Sequence, residues 1–184
     1  CLLFVGNPIG EPGARSLIEV FDANPKLQSL LGVEPGCTSL DISQKNMQPH
    51  DCIILAHELK ASRAAAALAH LVICQNKIGS EGGTALVEAI KTSNLESISI
   101  GKNLVLPIKG ELDSPTLDAS NQDIDPGYVI ILAWWLSTPA SAALAVVNVI
   151  GNAIGEPGAR SLIEVFDANP RLQSLLGVKP GSTS

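Results

Sequence analysis

Few residues in this chain have the type and spacing for chemistry, and those few are scattered. Three histidines stand at His50, His57 and His70, and four cysteines at Cys1, Cys37, Cys52 and Cys74. No C-x-x-C occurs and no histidine pair has a metal-binding interval, so a zinc or redox centre is not expected. Serines, histidines and aspartates are present without a nucleophile elbow, so no catalytic residue is expected. The glycine-rich stretch GNPIGEPG lacks the G-K-S/T that would cradle a phosphate, which makes it a turn. With no cofactor motif either, the chain reads as a non-enzyme.

Composition narrows the remaining classes. The 184 residues carry Lys+Arg 12 against Asp+Glu 18, a formal charge of −6 that argues against a nucleic-acid binder. Hydrophobic residues at 46% are enough for a folded core, and aromatics at 3% make that core aliphatic. The first residues lack the basic, apolar and small-residue order of a signal peptide, so none is expected in them. The start at Cys1 and the abrupt ends suggest an excerpt of a longer repeat array, treated as one domain over residues 1–184. The expected setting is intracellular, soluble or peripheral, with the compartment open.

The elements that would position any site repeat along the chain. Ile9–Ser39 recurs at Ile154–Ser184, an offset of 145 residues, with changes only at Lys26/Arg171, Glu34/Lys179 and Cys37/Ser182. A finer pattern, L-x-x-L-x-L-x-x-N-x-L, runs through Leu68, Leu71, Ile73, Asn76 and Ile78. It returns at Leu95, Ile98, Ile100, Asn103 and Val105, and at Leu144, Val147, Val149, Asn152 and Ile154. Leu2, Phe4, Asn7 and Ile9 form its tail, while Lys45 and Gln122 hold the Asn position in degenerate copies. Eight residues past the last apolar position come Leu17, Leu55, Leu86, Leu132 and Leu162. Each sits in a stripe spaced by three, four and seven, such as Gly83, Leu86, Val87 and Ile90. That spacing predicts one apolar face of a helix. Each unit is therefore expected to be a short strand, a turn and a helix.

These motifs, clearest in NKIGSEGGTALVEAIKTSNLESISIGKN, resemble the leucine-rich repeat family and its ribonuclease-inhibitor-like class. The resemblance covers nearly the whole chain. It implies an α/β solenoid of about five to six irregular repeats, with parallel strands on a concave side and helices on a convex side. In such a stack Asn7, Asn76, Asn103 and Asn152 would bridge neighbouring coils as a ladder. The Asn-equivalent positions 7, 45, 76, 103, 122 and 152 are unevenly spaced, against roughly 20–29 residues for repeats of this family. Irregular inserts near 32–39 and 104–116 explain this, the second having lost its helix.

The resemblance also implies protein partners and no nucleic acid. Strand residues Asp41, Ser43, His70, Val72, Ser99, Asp118, Ser120, Asn148 and Ile150 are expected on the concave face. Among these, Asp41, His70, Val72, Ser99, Asp118 and Asn148 are the candidate contacts. On the convex side, Tyr128, Ile131, Trp134 and Trp135 are expected to form an exposed apolar docking patch, with packing under the LPIKGEL loop as the alternative. The counterparts His57 and Glu58 read as ordinary surface residues. Tyr128–Ile150 is apolar enough to mimic a membrane span, but Pro139 interrupts it and the repeat register divides it into helix and strand, so no span is expected. The leading function is a non-catalytic interaction scaffold; the alternative is a peripheral structural subunit of a large complex, organellar or membrane-associated.

Overall fold

A computed structural model describes residues 5–177; Cys1, Leu2, Phe4, Lys179 and Ser182 lie outside them. The described chain is mixed α/β, with short strands in two sheets, five α-helices and no closed barrel. Its elements follow the repeat. Helix α1 (Gly10–Ala23) precedes strand β1 (Ser39–Asp41), which leads to α2 (Pro49–Ala61). Strand β2 (His70–Val72) leads to α3 (Gly79–Ile90), and β3 (Ser97–Ser99) is followed by β4 (Val105–Pro107) with no helix between. Strand β5 (Thr116–Asp118) leads to α4 (Pro126–Leu136), and β6 (Val146–Asn148) to α5 (Gly155–Ala168). The helices pack in chain order, α1 on α2 through to α4 on α5.

Two devices start these helices. In α1, α3 and α5 an Ile-Gly pair turns the chain, with Gly79 at φ +59°, a left-handed entry that glycine adopts without strain. In α2 and α4 a polar residue and a proline take that place. Gln48 and Asp51 form a reciprocal capping box, and Asp125 accepts from the amides of Gly127 and Tyr128. Proline at the first helical position loses no intrahelical bond.

The apolar stripes form the core. Cys52, Leu55, Ala56 and Leu59 of α2, Gly83, Leu86, Val87 and Ile90 of α3, and Val129, Leu132, Ala133 and Leu136 of α4 are all buried. They meet strand residues Leu71, Ile73, Ile98, Ile100 and Val147, which point inward. Helices α3 and α4 touch backbone to backbone: a Cβ on Gly127 would stand 2.1 Å from the Gly79 carbonyl oxygen.

The sheet is interrupted at the segment without a helix. Strands β1, β2 and β3 pair in parallel, but β4 turns back and pairs antiparallel with β3, ending that sheet. Strands β5 and β6 form a separate parallel pair. The 104–112 segment also reaches α4's end, where the Leu112 amide donates to the Ala140 carbonyl.

Asparagine bridges join neighbouring strand–turn–helix units at two positions. Asn76 is buried; its Nδ2 donates to the carbonyls of Ile42 (2.9 Å) and Ile73 (2.8 Å). Its Oδ1 accepts from the amides of Lys45 (3.0 Å) and Met47 (3.1 Å). Asn152 repeats this with Ala119, Val149, Gln122 and Ile124. Asn103, expected to do the same, is exposed, because the antiparallel turn carries it away from the interior. There Gln122 reaches across instead, its Oε1 accepting from the Asn103 amide at 2.8 Å. Asn7 is exposed on the first described coil, and its carbonyl meets His50. Lys45 is exposed too, so its charge is solvated at the ladder position.

Candidate functional site

The strands place the polar candidates in registered rows. Asp41, Val72 and Ser99 stand side by side on β1, β2 and β3, with His70 paired to Ser39 and Ser97 in the next row. Asp118 and Asn148 face each other in the second sheet. Asp41, His70 and Asp118 are exposed, while Val72, Ser99 and Asn148 are half-buried. The interruption at β4 separates the Asp118 pair from the other four.

Local bonds hold these side chains in place. The Ser43 hydroxyl and amide both donate to Asp41 Oδ1, at 2.7 and 2.9 Å. Those bonds hold the Asp41 carboxyl below the ordinary aspartate range, and Lys45 adds to the effect. Ser120 depresses Asp118 in the same way, helped by Asn148, whose Nδ2 donates to Asp118 Oδ1 at 3.2 Å. Both carboxylates are thus ionised at neutral pH. His70 Nδ1 lies 2.9 Å from Ser97 Oγ. The surface therefore offers negative charge near both ends and neutral polar groups between.

The expected exposed cluster on α4 is corrected. Tyr128, Ile131 and Trp135 are fully buried and Trp134 is half-buried. Helix α4 lies between α3 and α5, and the insert closes over its C-terminal end, which leaves only Ile130 and Trp134 of its large apolar side chains partly exposed. Trp135 Nε1 donates to the Pro107 carbonyl at 2.6 Å, packing the indole under the LPIKGEL segment. The Tyr128 hydroxyl donates to the Ile73 carbonyl and accepts from the Asn76 amide, which extends the asparagine bridge. A helix apolar on all sides, YVIILAWWL, is the mark of a buried one. That signal in the sequence could have corrected the expectation.

Glu58 is the second correction, for it is buried rather than on the surface. Its carboxylate accepts from the amides of Leu30 and Leu31 and from the Ser29 hydroxyl, tying the segment just before the first insert to α2. Beside it, Arg63 Nη1 donates to the carbonyls of Phe21 (2.8 Å) and Leu27 (2.8 Å), with the guanidinium 3.9 Å from the Phe21 ring centroid. His57 meets Phe21 edge-on and Asp22 Oδ1 at 2.7 Å. No periodic signal marked Glu58 or Arg63, because their partners lie about thirty or more residues away, in the end of α1 and the irregular segment after it.

Burial pushes the Glu58 carboxyl above the ordinary glutamate range, and the bonds from Leu31, Leu30 and Ser29 offset this only in part. The folded state thus binds this proton more readily than the unfolded chain. The contribution of Glu58 to stability is greatest at low pH and declines as pH rises from the ordinary glutamate range through the raised value. Glu58→Gln, which keeps an acceptor oxygen without the charge, should therefore gain on the parent across that window. Denaturant midpoints of both proteins at several pH values test this; a constant difference would refute it.

Burial holds two of the thiols in the protonated form. Cys52 is buried and pushed up by desolvation, then by Asp51; Cys74 is raised by burial as well. Among the described residues no group of three or more His, Cys, Asp or Glu is placed to hold a metal ion. A cleft of about 640 Å³ between the end of α4 and α5 has Glu164 and Arg171 as its charged lining. In the described chain no helix is long and apolar enough to cross a membrane; Tyr128–Ile150 divides into α4, a 3₁₀ turn and β6. Neither protein-family models nor curated proteins give a match to this chain.

Proposed function

We propose that the chain is a non-catalytic protein–protein interaction scaffold of leucine-rich repeat type, a solenoid stretch whose strand side presents a polar surface to a protein partner. The observation that carries the reading is the pair of asparagine bridges. Asn76 and Asn152 occupy one position of the repeat, and each ties three backbone groups of the preceding unit to a carbonyl of its own. Stacked coils need such bonds where no ordinary ladder forms.

The shape follows from element spacing. Strands lie about 4.8 Å apart and packed helices about 8–10 Å, so a regular stack bends with its helices outside. Between α3 and α4 extra strands are inserted without a helix, which flattens the arc there.

Asp41 and Asp118, with His70, Val72, Ser99 and Asn148 between and beside them, suit a partner that offers basic or amide side chains. The test is affinity capture on the full chain against the double variant Asp41→Arg/Asp118→Arg. Both positions are exposed, so circular dichroism should be unchanged. A partner set held by the parent and lost by the variant is the expected result; identical capture by both would end the proposal for this face. A peripheral subunit of a larger complex is the second reading, favoured by the exposed Ile163 on α5.

A further inference from the structure

In a regular stack each inner strand is paired on both sides, so neighbouring side chains shield one another. Strand β4 has one partner. It pairs antiparallel with β3, while β5, the next strand along the chain, joins β6 instead. Both flanks of this break lie within the described residues. The Ile100 amide donates to Leu104 and the Ile108 amide to Glu96, a register that makes Ser99 and Val105 a pair without mutual hydrogen bonds. Such a pair holds its side chains close together on one face, here the face of the polar candidates.

On that face Val105 is 54% exposed, whereas Leu104 and Leu106 beside it are buried. Among the described residues it is the one large apolar side chain in a paired strand that is more than half exposed. Val72, in the same row with strands on both sides, is half-buried. Pro107, two residues on and also half-buried, extends the apolar surface. The position is firmly held: β3 pairs with one edge of β4, and Trp135 Nε1 donates to the Pro107 carbonyl at 2.6 Å. An apolar side chain already fixed in place needs little ordering when a ligand docks on it.

At the other end of this row stands Asp41, for the register runs Asp41, Val72, Ser99, Val105 across β1 to β4. At roughly 4.8 Å per strand, Asp41 and Val105 lie about 14 Å apart. The Asp41 carboxylate is exposed and enters none of the ion pairs among the described residues; Lys45 acts on it only through space. Two cations near the break are engaged elsewhere, Lys102 with Asp123 and Lys109 with the Asn94 carbonyl. The row therefore matches a ligand that carries a cation and an apolar group at the same separation. An extended chain advances about 3.3 Å per residue, so side chains four positions apart, which share one face, span that distance.

We propose that this row binds an extended peptide segment lying across the strands, with Lys or Arg at Asp41 and an apolar side chain, four residues away, on Val105 and Pro107. The inference rests on the scaffold reading and names the chemistry of the segment that the strand side accepts.

Fluorescence anisotropy of labelled Gly/Ser peptides with the full chain tests it. Two probes carry Arg and Leu four positions apart, one in each chain order. Comparison probes place the two side by side, replace Leu with Ser, or replace Arg with Glu. One spaced probe should bind at least about tenfold tighter than its comparison probes. Val105→Ser should weaken it about tenfold, and Asp41→Asn about threefold at low salt, the latter difference vanishing near about 1 M salt. Asp118→Asn, beyond the break, should change nothing. All three positions are exposed, so circular dichroism should be constant. Spaced probes that fail to bind up to about 1 mM, or bind no better than the comparison probes, overturn the row. Binding indifferent to Val105→Ser overturns it too. Affinity capture with Asp41→Arg/Asp118→Arg keeps Val105 and reads partners of any chemistry, so the scaffold reading stands or falls separately.

Discussion

Replacing Asn76 with alanine is expected to lower the free energy of unfolding by about 4 kcal/mol, read from denaturant melts of the purified chain. Two backbone amides and the Ile42 carbonyl lose their Asn76 partner at once, and the Ile73 carbonyl keeps only the Tyr128 hydroxyl, in a site with almost no access to water. Each unsatisfied buried group costs about 1–3 kcal/mol, and local relaxation keeps the sum below full additivity. Asn103→Ala supplies the contrast. The same residue in the same sequence pattern is exposed there, and its loss should change stability by less than about 0.5 kcal/mol. Equal effects at the two positions would mean that the bridge is not what stabilises the coils.

Trp135→Ala should be comparably severe, about 4 kcal/mol, because it leaves a large cavity under the second insert and frees the Pro107 carbonyl. Trp134→Ala, at a half-buried neighbour, should cost about 1 kcal/mol or less. The pair separates packing from docking. If Trp135 were a contact residue, its removal would weaken partner binding at unchanged stability. Here any loss of binding should track the fall in melting midpoint and disappear in conditions that keep the variant folded. A Trp135→Ala protein as stable as the parent would contradict the burial argument directly.

Much of the architecture was legible from spacing. Leu55, Leu86 and Leu132 recur at one distance after an apolar residue, and each lies in the core at the centre of its helix. The strand positions Leu71, Ile98 and Val147 were equally plain, as was the exposure of their neighbours on the other face of the strand, since alternation along a three-residue strand leaves little choice of face. The helix-less segment could be anticipated from its prolines and missing stripe. Its antiparallel return along β3 could not, because no local residue type encodes which strand it joins.

The two end helices make the division plain. One fourteen-residue sequence buries Ala14 and Phe21 at one end of the molecule and Gly158 and Leu162 at the other. Periodicity therefore established that these segments are helices with apolar sides, since that depends on neighbours three and four residues away. Which side is covered, that Tyr128, Ile131 and Trp135 of α4 are enclosed, and that Glu58 anchors a distant loop were decided only by tertiary contact. Burial is a property of the element packed alongside, and that element can lie tens of residues away along the chain.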